Sequence, residues 1–124
     1  MINTKTSELT GNALSYILCM IELPHLVWGK SIGIHAHSNQ IIVPQLPSRR
    51  SFSPFMDWMM CGPIIERELI ALSPYLYTDD AWQATLATPD KHYCDYGPTP
   101  LVAAMRCYCR SKLGDEVEIP KELA

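Results

Sequence analysis

The segment from Thr99 to Gly114 constrains this fold most, because it marks both ends of one helix. Thr99 offers a capping hydroxyl, Pro100 fits the first helical position, and Gly114 supplies a stop. The spacing therefore predicts a helix over 101–113. Leu101, Val102, Met105, Tyr108, Cys109 and Leu113 share one face, with Arg106 and Arg110 one turn apart on its flank. The opposite face carries only the small residues Ala103, Ala104, Cys107 and Ser111. That face suits either plain exposure or a close helix contact in a homo-oligomer. A helix with one apolar stripe needs a second layer to cover it, and the rest of the chain must provide that layer.

An N-terminal helix is predicted over about 8–22, capped by Thr6 or Ser7, with Leu9, Ala13, Ile17 and Met20 at helical spacing and Leu23-Pro24 as its end. Ile32, Ile34 and Ala36 alternate with Gly33, His35 and His37, which reads as a half-buried strand. Residues 40–43 would be its returning partner after a turn at Ser38-Asn39, with a proline-rich loop beyond. Ser53-Pro54 opens a short helix, and Gly62-Pro63 is expected to break or kink it, with Pro63 able to restart a second one through Glu68. Strands fit 69–72 and 81–87, the second with Trp82, Ala84 and Leu86 on its buried side. Residues 88–98 read as a loop, and Val117 and Ile119 alternate as a short edge strand. With 124 residues there is one core, hence one domain over 1–124. The expected architecture is α+β: a small antiparallel sheet of about four strands, packed with N- and C-terminal helices and short central helices.

Ten basic against thirteen acidic side chains leave a net charge of -3. Such a chain has no bulk electrostatic attraction to nucleic acid or anionic lipid, and two arginine pairs, Arg49-Arg50 and Arg106/Arg110, do not make a nucleic-acid surface. The apolar run 13–23 is shorter than the about 20 residues that a membrane span needs, and the polar start lacks secretory-signal features, so the expected compartment is the cytoplasm. Five cysteines at non-modular spacings read as reduced thiols.

No catalytic constellation stands out. His35 and His37 have a metal-compatible spacing, yet a third ligand from His25, His92 or Cys94 would depend on the fold, and exposed strand histidines are the plainer reading. His92 and Cys94 share a loop with Asp90 and Asp95, without evidence of the contact that nucleophilic catalysis needs. Glu66 and Glu68 with Asp57 offer carboxylates with nothing to fix them around one atom. The richest stretch is 51–67, where Asp57, Trp58, Gly62 and Arg67 sit near two helix starts. Trp58 and Trp82 would stack on a planar ring, Arg67 and Arg106 would neutralise phosphate, and Asp57 would fix orientation. In the plainer alternative Trp58 and the methionines are core, and Gly62-Pro63 only turns a corner.

Three segments together carry a resemblance. Ser53-Pro-Phe-Met-Asp-Trp-Met-Met-Cys-Gly-Pro-Ile-Ile-Glu-Arg-Glu68, the run from Gly97-Pro-Thr-Pro100 through Lys112-Leu-Gly-Asp-Glu-Val-Glu-Ile-Pro120, and Thr6-Ser-Glu-Leu-Thr-Gly-Asn-Ala-Leu14 resemble the NinX-like family of small phage and prophage proteins. Trp82-x-Ala84 fits the same family's second tryptophan strand. The chain departs from the family pattern at Phe55, Met56 and Cys61, where Ser-Thr and a second glycine are usual, and at Ser15-Tyr16, where Asp-Trp is usual; residues 23–50 match nothing placed. The resemblance implies a phage or prophage accessory protein and no particular reaction. Joined to the residue reading, the expectation is a non-enzymatic binder acting in the bacterial host. Its ligand would be a nucleotide-derived small molecule held as a counter-defence sponge, with no cofactor and no metal. The alternatives are a module that binds a host or phage protein, through the small helix face or the loop 44–54, and a metal-assisted hydrolase.

Overall fold

The computed structural model describes residues 1–22, 33–34, 41–42 and 58–123. The elements run β1 (Ile2–Lys5), α1 (Gly11–Glu22), β2 (Gly33–Ile34), β3 (Ile41–Ile42), α2 (Trp58–Glu68), β4 (Ala71–Pro74), β5 (Trp82–Ala87), β6 (His92–Gly97), α3 (Pro100–Leu113) and β7 (Glu116–Ile119), with 3₁₀ turns at Thr6–Glu8 and Lys121–Leu123. The fold is α+β. Its strands, however, do not join one four-stranded sheet: among the described residues they form an antiparallel meander β4-β5-β6 and two separate antiparallel pairs, β1-β7 and β2-β3.

Helix α3 is the hub, touching β4, β5, β6, β7, α1 and α2. Its ends are as expected: Thr99 Oγ1 accepts from the Val102 N–H at 3.2 Å, and the Gly114 N–H, at φ +89°, reaches the Arg110 carbonyl at 2.9 Å. Every residue from Leu101 to Cys109 is buried. This corrects the reading of Ala103, Ala104 and Cys107 as a small outward face. They are completely buried inside one chain, so they offer no surface to a second subunit; Ser111 is half-buried, its hydroxyl donating to the Tyr108 carbonyl. The physical reason lies in Gly97 at the end of β6, where an added Cβ would stand 2.6 Å from the Ala103 backbone nitrogen. Small residues on the helix and none on the strand let the two backbones approach.

Other boundaries moved for local reasons. Thr6 does not cap α1. Its hydroxyl donates to the Gly114 carbonyl at 2.6 Å and its N–H to the Asp115 carbonyl at 2.9 Å, so the helix begins at Gly11. Helix α2 runs unbroken through Gly62-Pro63, because buried Cys61 and Ile64 hold both halves to the core and proline removes only one backbone bond. It ends in a two-bond reversal, the Leu69 N–H to the Glu66 carbonyl at 3.4 Å and the Ile70 N–H to the Ile65 carbonyl at 3.0 Å, with Leu69 at φ +55° where glycine is usual. That reversal occupies Leu69 and Ile70, so β4 starts at Ala71. Residues 92–97 form strand β6, not a loop. β1 is also a strand, pairing Ile2 with Ile119 and Lys5 with Glu116. The expected hairpin near 31–43 is present where described, with Gly33 opposite Ile42; its turn and the loop 44–54 lie outside the described residues.

Gly97→Ala should cost about 2 kcal/mol through forced separation of β6 and α3. Urea unfolding of the variant checks this, and an unchanged midpoint would contradict the close-approach account.

Candidate functional site

The β4–β5 connection builds a hollow at one end of the meander. The Tyr75 N–H donates to the Ala81 carbonyl at 2.6 Å and closes the connection, while Thr78 Oγ1 donates to the Asp80 carbonyl at 3.2 Å. The open space, about 480 Å³, is lined by Tyr75, Thr78, Asp79, Asp80 and Tyr96. Strand register brings the two rings together: Ser73 pairs with Gln83 and Gln83 with Tyr96, all on the face of the sheet turned away from α3. The Tyr75 and Tyr96 centroids lie 4.8 Å apart, and Tyr77 meets Tyr75 edge-on at 5.2 Å. Gln83 Nε2 donates to Cys94 Sγ at 3.1 Å, and a hydrogen bond with that thiol raises the Tyr96 phenol above its ordinary value, so a polar chain crosses the sheet face to the ring.

Arg106 supports this hollow from behind. Its Nε donates to the Leu9 carbonyl at 2.7 Å and its Nη1 to the Tyr96 carbonyl at 2.8 Å, with Asp80 at 3.9 Å. One turn on, Arg110 pairs with buried Asp95 at 2.9 Å and donates to the Cys94 carbonyl at 2.9 Å. Burial raises the Asp95 carboxyl pKa, and the Arg110 hydrogen bond opposes that shift. A second hollow of about 600 Å³, lined by Lys5, Ser7, Arg110, Asp115 and Glu116, mixes charges of both signs.

The residues singled out from the sequence do not meet in one place. Trp82 lies on the inner side of β5, partly buried against the core, beside Pro74 and Gly97 in the register. Of Trp82 and Arg106, Arg106 alone is tied to the tyrosine hollow, through the Tyr96 carbonyl and Asp80; Trp82 faces the core on the other side of the sheet. Arg67 lies across α3, since residues 106 and 108 point about 200° apart. There it donates to Tyr108 Oη at 3.0 Å and pairs with Glu22 at 2.9 Å, tying α1, α2 and α3. Trp58 is 55 % exposed and, nine residues from Arg67, occupies the opposite side of α2. A Cβ on Gly62 would meet nothing within 4 Å. Asp57 lies outside the described residues, as do Phe55, Met56, His25, His35 and His37. Cys61, Ser15 and Tyr16 are buried, so these departures from the family pattern are matters of packing.

Sequence reading missed Tyr75 and Tyr96. Tyr75 lies between the strands expected at 69–72 and 81–87, and Tyr96 within the loop expected at 88–98. No hydrophobic alternation marks that strand, since His92, Cys94 and Tyr96 face out while Tyr93, Asp95 and Gly97 face in. Among the described residues no three His, Cys, Asp or Glu side chains gather as a metal site, and no helix is long and apolar enough to cross a membrane.

Fold and site together define a small α+β domain with an open aromatic–acidic hollow. A family model described as Bacteriophage P22, NinX matches residues 5–112. The chain belongs to the phage P22 NinX family and is a phage accessory protein. No curated protein is similar enough to the chain to count as a match.

Burial pushes Tyr108 up to about 12 from 10.0, and Cys19 and Cys107 up to about 12 from 9.0. A folded pKa above the unfolded one gives stability that is complete below the unfolded value and is lost as pH climbs through the folded value. Unfolding free energy should thus hold steady to about pH 8 and fall progressively toward pH 12. Tyr108→Phe should cost about 1 kcal/mol at neutral pH, through its lost bonds to Arg67 and Glu22, yet flatten the fall above pH 10. Denaturant titrations from pH 7 to 11.5 check both; a wild-type profile flat to pH 11 would contradict the burial account.

Proposed function

We propose that this phage protein acts by holding a small nucleotide-derived molecule without transforming it, with the ligand's ring laid on the Tyr75–Tyr96 pair. The observation that carries this reading is two tyrosine rings at 4.8 Å bordering an open hollow that also presents Asp79 and Asp80. A base stacked on an aromatic side chain contributes about 1–3 kcal/mol with little demand on its identity. The carboxylates accept hydrogen bonds from ring amines or sugar hydroxyls, which fix orientation. Arg106 serves by position, its guanidinium anchoring the Tyr96 backbone, while Trp82 packs against the core on the inner side of the sheet. A phage gains from such binding when the molecule is a signal in the host cytoplasm, because a preformed hollow on an abundant chain withdraws it from its receptor. The stacking role expected of Trp58 passes to the tyrosines. The phosphate role expected of Arg67 and Arg106 is not needed for ring capture, since both guanidinium groups already have partners.

A second reading, contact with a host or phage protein, is favoured by Leu76 and Tyr77, which stand 84 % and 86 % exposed at the tip of the same connection. Titration calorimetry against mono-, di- and cyclic nucleotides and their nucleosides separates the two. At least one should bind in the micromolar range, and Tyr96→Ala should weaken it about tenfold or more without unfolding the sheet. No heat from any of them at high micromolar concentration overturns the sponge and leaves the protein-contact reading.

A further inference from the structure

We infer that the hollow selects a ring carrying positive charge: a pyridinium or an N-alkylated purine rather than a neutral base. This rests on the proposed ring site and adds the sign of its charge. The lining residues are two tyrosines, one threonine and two aspartates, with no basic side chain among them. Among the described residues the cation nearest these carboxylates is Arg106, 3.9 Å from Asp80, and its side chain is only 10 % exposed. Its Nε and Nη1 donate to the Leu9 and Tyr96 carbonyls, so it cannot swing out to meet a ligand. It therefore offsets at most one of the two carboxylates. Among the described residues no cation pairs with Asp79, which stands exposed at the mouth.

The rings add to the same sign. A tyrosine face carries the negative lobe of the aromatic quadrupole and attracts a cation above it. Tyr96 is held in the sheet by its backbone bond to Arg106 and by the Gln83–Cys94 chain beside its phenol, so its face is set before any ligand arrives. The second hollow gives the contrast, since Lys5 and Arg110 offset Asp115 and Glu116 there and no sign prevails. A phosphate placed in the tyrosine hollow would face two carboxylates, so a nucleotide must enter ring first with its phosphates toward solvent. A charged ring satisfies the carboxylates and the π-faces at once; a neutral ring meets only the second.

Two probes of nearly the same shape isolate the charge. 1-Methylnicotinamide is a permanent cation, and nicotinamide is its neutral parent. In calorimetric or NMR titrations of the full chain the cation should bind about tenfold tighter. Raising salt from about 20 mM to about 500 mM should shrink that advantage, as should Asp79→Asn, which sits in an exposed loop and leaves the fold intact. Tyr96→Ala should weaken both compounds. Equal affinities, or tighter binding of nicotinamide, with Tyr96 dependence intact would overturn the charge inference and keep the ring site. Failure of both compounds to bind at millimolar concentration overturns the inference, and if the nucleoside panel is also silent the ring site falls with it.

Discussion

Seating α3 against β6 is the constraint on which the rest of the structure depends. Gly97 removes the one side chain that would hold the two backbones apart, and Ala103 and Cys107 let the helix settle onto the strand. Once that contact is made, Arg106 and Arg110 reach the carbonyls of Tyr96 and Cys94, two residues apart on the outer strand of the meander. Those acceptors are then filled, which also blunts the edge against strand addition. The far side of α3 receives α1 and α2, and the Glu22–Arg67–Tyr108 cluster stitches the three helices where apolar packing gives out.

The candidate site is a by-product of this seating. Arg106 is fixed by Leu9 on one side and Tyr96 on the other, so the backbone that carries the Tyr96 ring is held against α3. The same guanidinium stands near Asp80, which ties the β4–β5 connection to the helix. The hollow therefore couples three parts of the chain that share no local sequence. Preorganisation of this kind lowers the entropic cost of holding a small ligand.

Much of the fold was legible in the residues. The Thr99-Pro100 and Gly114 signals bound α3, and the alternation of Trp82, Ala84 and Leu86 placed β5 with its buried side correct. β6 escaped because its polarity is inverted: an aspartate and a glycine face inward while a tyrosine and a histidine face out, so no hydrophobic alternation marks it. β1 escaped because its pairing partner β7 lies at the other end of the chain. Of the break or kink expected at Gly62-Pro63, the break does not occur, because tertiary burial of Cys61 and Ile64 outweighs one lost backbone bond. Trp58 and Arg67 drew attention by residue type, yet helical geometry sets them on opposite sides of α2. Tyr75 and Tyr96 became neighbours only through the register of β4 and β6 on β5, which no local pattern encodes.

Native-state hydrogen exchange tests the central role of α3 most directly. Amides from Ala103 to Cys109 should exchange only through global unfolding, with protection equal to the full unfolding free energy, while those at the β4–β5 connection open locally. Exchange of the α3 amides through local opening, at rates above those of β5, would contradict the account.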